Sequence, residues 1–429
     1  MRQVYMSFLG LGQYNPTKEI YEYLPAQYIL NGKYSQSTEF VQVAELEMLG
    51  TENFDQIYIL GTQKSLAYHF ENLKAQMQAL NASPVQVKVT EDLDAQGQWQ
   101  LFERILECIE IHDQLTLDLT HGFRSMPIVV SAAINFLQKS RNINLDAVYY
   151  GAFDKDRDAT PIVNMKDFYL INEWADGVSR LVEDADAKKL IEAAEKAPDF
   201  QTGGLNDDQI IHRIKKLTNT LRNIDVNRVG DHAYEALRCI NNQKAYSTET
   251  GKILLDLVTD KYTSLVSENP YNNRYDKEYF WIQLQIINLL LEHNLFMQAY
   301  TVMREYIASL AMIPFEIEGM NHKKRKKRRH KYAEIFVRML QYDDDEWSFS
   351  DKQQQYVDRL KPFYDQLKSL GIAQEIGVLI KKLVDYRNGF DHAWTVKSSV
   401  PEDLESMGET IAHSLQRVYQ ELGANNLMP

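Results

Sequence analysis

Arg387 and His392 lie near the end of the chain with four residues between them, in the segment Tyr-Arg-Asn-Gly-Phe-Asp-His that covers 386–392. A guanidinium stays charged at any accessible pH and can hold a phosphate, whereas an imidazole titrates near neutrality and can give or take a proton. Cleavage of RNA by its own 2′-hydroxyl needs little more than these two functions. The Asn-Gly pair between them predicts a turn. The alternative is that Arg387 is a surface cation and His392 a structural histidine.

A second polar segment, Leu-Asp-Leu-Thr-His-Gly-Phe-Arg-Ser-Met-Pro at 117–127, follows a short apolar run. The run 115–119 predicts a buried strand and 127–139 predicts a helix. At such a turn of a parallel sheet, backbone N–H groups face an anionic ligand. The candidate ligand-binding residues are Thr120, His121, Gly122, Arg124 and Ser125. The alternative is an ordinary connection in which Thr and Ser cap the helix.

The N-terminal part alternates between strand and helix patterns. The predicted strands are 4–9, 55–60, 85–89, 115–119 and 145–150, with a last edge strand at 160–165. One predicted helix begins at 40, and three others cover 65–80, 99–109 and 127–139. This alternation predicts crossover connections and a mostly parallel, doubly wound, Rossmann-like α/β sheet.

The turns that follow these strands are expected to meet at one rim of the sheet. Besides 120–125, they are 10–14 and 61–63, which add Gly10, Leu11, Gly12 and Thr62 as candidate binding residues. The first turn lacks the G-x-G-x-x-G spacing of a dinucleotide site, so a nicotinamide enzyme is not expected. The rim is instead interpreted as a pocket for an anionic nucleotide.

From about residue 166 onward the strand signal fades and helical spacing takes over. The predicted helices are 173–196, 209–227, 230–242, 249–266, 277–293, 296–312, 331–341, 351–369, 372–386 and 401–422, with a loop at 199–208 and a break at 269–273. Such a run of helices suits a compact bundle.

One segment, 322–331, is almost uninterrupted positive charge. Like charges at this density repel one another, and the segment follows Gly319, so it is expected to form a mobile loop. Two interpretations stay open, a solvated insertion or an electrostatic guide for an RNA substrate. The candidate guiding residues are Lys323, Lys324, Arg325, Lys326, Lys327, Arg328 and Arg329.

Length and composition narrow the class of protein. A chain of 429 residues is expected to form two or three domains, and its net charge of −13 argues against nonspecific coating of DNA. Cys108 and Cys239 are interpreted as small core residues of a protein in a reducing compartment. The chain starts without a signal-peptide pattern and has no apolar run near the roughly 20 residues that span a bilayer, so a cytoplasmic protein is expected. The acidic run 343–346 is interpreted as solvated, and no metal site is predicted.

Together, the two motifs resemble those of the CRISPR-associated ribonucleases of type III systems, which join an N-terminal CRISPR-associated Rossmann fold (CARF) to a C-terminal HEPN nuclease domain. The segment 118–127 is similar to that family's ligand-sensing motif, and 387–392 fits its Arg-x4-6-His catalytic motif. The resemblance implies a CARF domain at 1–172, a helical connector at 173–270 and an all-α HEPN domain at 271–429.

The resemblance also implies an activity, a metal-independent endoribonuclease that cleaves single-stranded RNA in antiviral defence. In this family, paired CARF domains bind a cyclic oligoadenylate as an allosteric activator, with cyclic tetra-adenylate favoured here and cyclic hexa-adenylate second. Paired HEPN domains of a homodimer place both copies of Arg387 and His392 at one cleft. Arg387 would then stabilise phosphoryl charge, His392 would transfer protons, and Asn388 would orient the backbone or the imidazole.

Two other functions stay open at this point. The chain could be a cyclic-oligoadenylate-binding regulatory protein without ribonuclease activity, although its C-terminal helices show no clear basic helix-turn-helix for a transcription regulator. It could also be a ring nuclease that degrades the messenger at 120–125.

Overall fold

The computed structural model describes residues 1–92, 94–122, 126–152, 158–196, 207–272, 274–395 and 401–429, and at 196 and 322–324 only the backbone. The chain divides into two compact units, Met1–Asn172 and Glu173–Pro429. Among the described residues, none of the helices is long and apolar enough to cross a membrane.

The first unit is an α/β fold. Its strands are β1 (Gln3–Leu9), β2 (Gln13–Asn15), β3 (Ile20–Glu22), β4 (Tyr28–Leu30), β5 (Lys33–Tyr34), β6 (Gln56–Gly61), β7 (Val85–Lys88), β8 (Gln114–Asp118), β9 (Asn144–Gly151) and β10 (Thr160–Asn164). Its helices are α1 (Val41–Leu49), α2 (Gln63–Ala79), α3 (Ala95–Cys108) and α4 (Met126–Ser140).

Eight of these strands form one sheet in the order β5-β4-β10-β9-β8-β1-β6-β7. The strands from β7 through β6, β1 and β8 to β9 pair in parallel. The chain therefore winds outward from β1 in one direction and then, from β8 onward, in the other, which places a topological switch point between β1 and β8. The predicted Rossmann-like sheet is confirmed.

Both faces of the sheet are covered, which explains the apolar runs of the central strands. From β1, Val4, Met6 and Phe8 pack in a core cluster that includes residues of α3 and α4. Tyr5 and Leu9 point to the other face, into a cluster with residues of α1 and α2. Alternate residues of one strand thus serve two cores.

The prediction that 160–165 forms the edge of the sheet was wrong. β10 pairs antiparallel with β9 on one side and parallel with β4 on the other, so β4 and β5 lie beyond it. The hairpins β2–β3 and β4–β5 were not predicted, because strands of two or three residues are too short to show a period in the sequence.

The second unit is helical. The division between the units falls within α5 (Lys166–Asp184). The helices that follow it are α6 (Lys188–Lys196), α7 (Asp208–Arg222), α8 (Val226–Lys244), α9 (Glu249–Tyr262), α10 (Lys277–Glu292), α11 (Phe296–Leu310), α12 (Ile313–Ile317), α13 (His322–Gln341), α14 (Asp351–Ser369), α15 (Ile372–Asp391) and α16 (Leu404–Ala424). α15 contacts α11, α13, α14 and α16. The predicted 173–196 helix is two helices, and most of the predicted loop 199–208 lies outside the described residues.

The basic segment 322–331 was predicted as a loop, and this was wrong, because it forms the first half of α13. The second half of α13 carries buried apolar residues, including Phe336 and Met339, which anchor the helix in the core. Arg329 in the basic half donates a hydrogen bond of 2.6 Å to Glu305. Tertiary packing and ion pairing therefore outweigh the repulsion between neighbouring cations.

Candidate functional site

The first candidate site is a cavity of about 400 Å³ in the first unit. Its wall is formed by the segments that follow β1, β3 and β8, by the β2–β3 hairpin, by β4 and the end of β9, and by the connection before α1. The lining residues are Gly10, Leu11, Gly12, Gln13, Glu22, Tyr23, Leu24, Tyr28, Glu39, Thr120, His121, Gly122 and Gly151. The cavity lies at the carboxyl ends of β1 and β8, where the strand order reverses and where ligands of open α/β sheets bind.

Two glycines allow the chain to pass close to other backbone at this rim. A side chain at Gly10 would contact the carbonyl oxygen of His121 at 3.3 Å. Gly12 has φ +73°, a conformation that favours glycine, and a side chain there would collide with the backbone of Glu22. Larger residues would therefore displace the cavity wall at both positions.

Asp118 ties three strands together beneath the cavity. It is fully buried and accepts hydrogen bonds from the Ser7 hydroxyl of β1 and from the backbone N–H of Thr120, at 2.9 Å for the latter. The Thr120 hydroxyl also donates to Asp118 and accepts the N–H of Gly151 from β9. Burial raises the pKa of Asp118, while the bonds from Ser7 and Thr120 oppose that rise. The Thr120 hydroxyl therefore has structural partners already.

His121 brings a neutral imidazole to the cavity. Its ring lies 4.7 Å from the ring of Tyr23, and its Nε2 is buried without a hydrogen-bond partner among the described residues. Burial, with a smaller effect of His69, lowers the pKa of His121 to about 4. The ring is therefore uncharged at neutral pH and can offer a ligand a hydrogen bond but no positive charge.

Not all predicted binding residues meet at this cavity. Thr62 is buried and its hydroxyl caps α2 by accepting the N–H of Ser65, so it does not line the cavity. Arg124 and Ser125 lie outside the described residues. Conversely, Tyr23, Tyr28 and Glu39 line the cavity although the segment that carries them showed no motif. Tyr23 directly follows β3, Tyr28 begins β4, and Glu39 lies between β5 and α1.

The second candidate site lies at the end of α15 in the second unit. The helix was predicted to end at Tyr386, which was wrong, because it continues through Arg387, Asn388 and Gly389 to Asp391, with His392 as its C-cap. The expected Asn-Gly turn is therefore helical. The side chains of Arg387, Asn388 and His392 are all exposed.

An aromatic cluster holds this end of the helix in place. Tyr386 is buried, donates a 2.7 Å hydrogen bond to Asp403, and lies 4.9 Å from the ring of Tyr300. Burial and the bond to Asp403 raise the pKa of Tyr386 to about 12. The Trp394 N–H donates a 2.7 Å hydrogen bond to the carbonyl of Gly389, and its ring occupies the space that a side chain at Gly389 would need. Glycine thus serves here to admit Trp394 and not to form a turn.

Arg387 and His392 do not share one face of the helix. Five residues advance an α-helix by roughly 500°, which leaves the two side chains about 140° apart around the axis. Arg387 instead pairs with Asp391, with Nε and Oδ2 3.3 Å apart and both side chains about half exposed. A single copy therefore presents the two groups in different directions.

The basic face of α13, formed by the segment 322–331, exposes fewer cations than its sequence suggests. Arg325 and Arg329 form ion pairs with Glu316 and Glu305. Arg328 lies over the ring of Phe315 at 4.9 Å. Lys326 and Lys327 are exposed, and the side chains of Lys323 and Lys324 lie outside the described part of the chain. Of the seven candidate guiding residues, two lysines are therefore shown facing solvent.

Within the described ranges, no three His, Cys, Asp or Glu side chains are grouped so that they could hold a metal ion. The acidic residue Asp344 instead accepts hydrogen bonds from Tyr364 and Lys368.

Comparisons with known proteins relate the chain to CRISPR systems. No protein-family model matches it. A CRISPR-associated protein of Methanocaldococcus jannaschii is 29% identical over 121 residues, which are 24% of this chain and 19% of that protein. The match therefore spans about a fifth of the relative's length. The solved structure of Enterococcus italicus Csm6 bound to cyclic hexa-2′-fluoro-hexa-dAMP aligns with 99% of this chain and 94% of its own, at 12% identity and a TM-score of 0.37.

The sequence match, unlike the weak structural one, adds to what the motifs indicate. The relative found by sequence is a CRISPR-associated protein, which is the class of protein that the motifs at 118–127 and 387–392 indicated. Over the matched residues the chain is similar to a CRISPR-associated protein, and the predicted resemblance to such proteins is confirmed.

Proposed function

We propose that the chain is a metal-independent endoribonuclease, activated by a cyclic oligoadenylate, that cleaves single-stranded RNA in type III CRISPR antiviral defence. The observation that carries this proposal is the exposure of Arg387, Asn388 and His392 together at the rigidly anchored end of α15. Exposed side chains on an anchored helix end can reach a substrate without opening the fold.

Arg387 is available to bind a phosphate. Its partner Asp391 is exposed, and exposed ion pairs contribute only about 0 to 1 kcal/mol to stability. A phosphate that approaches can therefore replace Asp391 at little cost. Arg387 then stabilises the charge that develops on the phosphoryl oxygens, an interaction whose loss typically costs about 3 to 4 kcal/mol in activation free energy.

His392 supplies the proton transfer. An imidazole acting on the 2′-hydroxyl or on the leaving 5′-oxygen contributes about 100- to 10,000-fold to the rate. The backbone carbonyl of Asn388 accepts the N–H of His392 at 3.1 Å, which fixes the backbone at the C-cap. Because Arg387 and His392 of one copy diverge, the proposed site combines the groups of two copies in a homodimer.

The cavity of the first unit is the proposed messenger site. Backbone N–H groups near Gly10, Gly12 and Gly122, with the neutral His121, would contact a nucleotide there. The ligand activates only if it binds the cleavage-competent state more tightly than the idle state. Arg124 and Ser125 remain predicted ligand residues.

The ends of the RNA products test the mechanism. Cleavage by the 2′-hydroxyl leaves 2′,3′-cyclic phosphate or 3′-phosphate ends and continues in EDTA. We expect His392→Ala to lower the cleavage rate at least about 100-fold while the dimer and its messenger affinity stay unchanged, because the exposed imidazole supports no packing.

His413→Ala is the matched control, since His413 is also exposed, on α16, and we expect wild-type cleavage from it. Products with 5′-phosphate and 3′-hydroxyl ends would contradict the mechanism, as would full activity of His392→Ala. Loss of intact messenger in the same reactions, without RNA cleavage, would point to a ring nuclease instead.

A further inference from the structure

The wall of the cavity in the first unit contains two carboxylates, Glu22 and Glu39, and its described lining residues include neither Lys nor Arg. A carboxylate repels phosphate and can only accept hydrogen bonds. A nucleotide that fills this cavity must therefore present an N–H or O–H donor to any carboxylate that is not already satisfied.

Glu22 is already satisfied by its own hairpin. Its Oε1 accepts a hydrogen bond from Asn15 at 2.5 Å, and its Oε2 accepts one from Lys18 at 2.8 Å. The bond from Lys18, followed by the bond from Asn15, lowers the pKa of Glu22. Both oxygens therefore have partners within the segment from Asn15 to Glu22.

Glu39, in contrast, has one oxygen fixed and one open. Its Oε2 accepts a hydrogen bond of 3.0 Å from the Asn72 side chain of α2, which orients the carboxylate. Its Oε1 has no partner among the residues that the structure describes. Glu39 is therefore a fixed acceptor in the wall of the cavity.

The surroundings of Glu39 suit a flat, weakly polar group more than a phosphate. Tyr23, Leu24 and Tyr28 line the same cavity, and the ring of Tyr23 packs 5.4 Å from that of Phe40, the residue after Glu39. The ring of Tyr23 also lies 4.7 Å from that of His121, whose buried Nε2 has no partner in the described chain. Aromatic walls beside a fixed acceptor are the setting in which proteins bind a nucleobase by its face and its amino group.

We infer that Glu39 determines base specificity by accepting a hydrogen bond from the exocyclic amine of an adenine of the bound messenger. This assignment rests on the proposed function, since it takes the cavity as the messenger site. It explains why an acidic side chain lies in the wall of a site for an anionic ligand. A ring without the amine covers Oε1 of the half-buried Glu39 without offering it a donor.

Isothermal titration with two rings tests the assignment on the full chain. One ring is cyclic tetra-adenylate, or cyclic hexa-adenylate if the wild type prefers it, and the other is the same ring built from purine riboside, in which hydrogen replaces the amine. We expect the wild type to bind the amine-free ring about 10- to 100-fold more weakly, as for the loss of a hydrogen bond to a charged group. Glu39→Leu should bind both rings with affinities within about twofold of each other. Glu39→Gln keeps an uncharged acceptor, so its preference for the adenine ring should lie between those of the wild type and Glu39→Leu.

Glu47→Gln is the control for a change of charge on the neighbouring helix, because Glu47 is exposed on α1 and does not line the cavity. It should keep the wild-type preference, and thermal unfolding midpoints verify that each variant is folded. The assignment is overturned if Glu39→Leu keeps the preference for adenine. A third titration uses the 2′-deoxy form of the adenine ring. The assignment is also overturned if Glu39→Leu loses discrimination against that ring and not against the amine-free ring, which would place the carboxylate on a ribose. A folded wild type that binds none of the rings would overturn the proposed function itself.

Discussion

Glu45 is the residue whose environment gives the clearest test by pH. It is fully buried on α1, and Tyr5 donates a 2.7 Å hydrogen bond to its Oε2 while Oε1 is buried without a partner in the described chain. Burial, together with the nearby Asp118, raises the pKa of Glu45 well above its usual range. The folded state therefore keeps the proton on Glu45 to a higher pH than the unfolded state does.

This difference predicts the direction of a stability change. Because the folded state holds the proton, the stability from this group is complete below about pH 4 and falls as the pH rises, by about 1.4 kcal/mol per unit until the folded carboxyl ionises. Glu45→Gln removes this dependence, so its free energy of unfolding should rise relative to the wild type between pH 5 and 8. Denaturant unfolding measures the difference, with exposed Glu71→Gln as the control. Parallel curves for Glu45→Gln and the wild type would show that Glu45 is charged in the fold.

His121 makes a separate prediction about messenger binding. Its pKa of about 4 keeps the ring neutral, so we expect the same affinity at pH 6 and pH 8. His121→Phe keeps a ring beside Tyr23 but removes Nε2, and it should weaken binding by about 2- to 12-fold, as for the loss of a neutral hydrogen bond. Titration calorimetry at both pH values measures this. An affinity that increases steeply as the pH falls from 8 to 6 would show that the imidazole binds as a cation.

At the scale of single elements, α13 carries the test for substrate guidance. Lys326 and Lys327 are exposed, whereas Arg325 and Arg329 stabilise the fold through ion pairs and are left unchanged. Lys326→Gln with Lys327→Gln should raise the RNA concentration that half-maximal cleavage requires. It should also reduce the slope of log affinity against log salt by about 1.4, since each phosphate contact on a single strand contributes about 0.7.

Lys188→Gln with Lys189→Gln is the matched control, because these neighbouring lysines are exposed on α6. Messenger affinity should be unchanged in both double variants. If the α13 variant and the control show the same salt slope as the wild type, the basic face of α13 is merely solvated.

The elements that could be predicted from sequence are those whose period is set by burial. The central strands β1, β6, β8 and β9 appear as apolar runs because helices cover both faces of the sheet. The helical nature of α13 could not be predicted, since the partners of its cations, Glu305 and Glu316, come from other helices. The continuation of α15 past Tyr386 likewise depends on Trp394, which packs on Gly389 from a later turn.

The residues of the cavity could likewise be predicted only where a regular strand positions them. Gly10 and Thr120 could be placed at one rim because parallel strands end at the same edge. Thr62 was expected there too, but its hydroxyl has a nearer partner in the N–H of Ser65. Glu39 could not be found from sequence, because it lies in the connection between β5 and α1, where the sequence shows no motif.

At the scale of the whole molecule, the proposal joins two sites that lie in different units, the cavity of Met1–Asn172 and the α15 end of Glu173–Pro429. Neither site alone accounts for a regulated nuclease. A messenger can control the second site only through a difference in its affinity for the idle and competent states. The dependence of RNA cleavage on the messenger is therefore the central property of the proposed mechanism.

The most direct measurement incubates the purified wild-type chain with labelled single-stranded RNA in EDTA, without messenger and with cyclic tetra-adenylate or cyclic hexa-adenylate. We expect slow cleavage without messenger and a rate at least about tenfold higher with one of the two rings, the tetra-adenylate first, which corresponds to an activation free energy lower by about 1.4 kcal/mol. Equal rates with and without both rings, or no cleavage of RNA under any of these conditions, would contradict it.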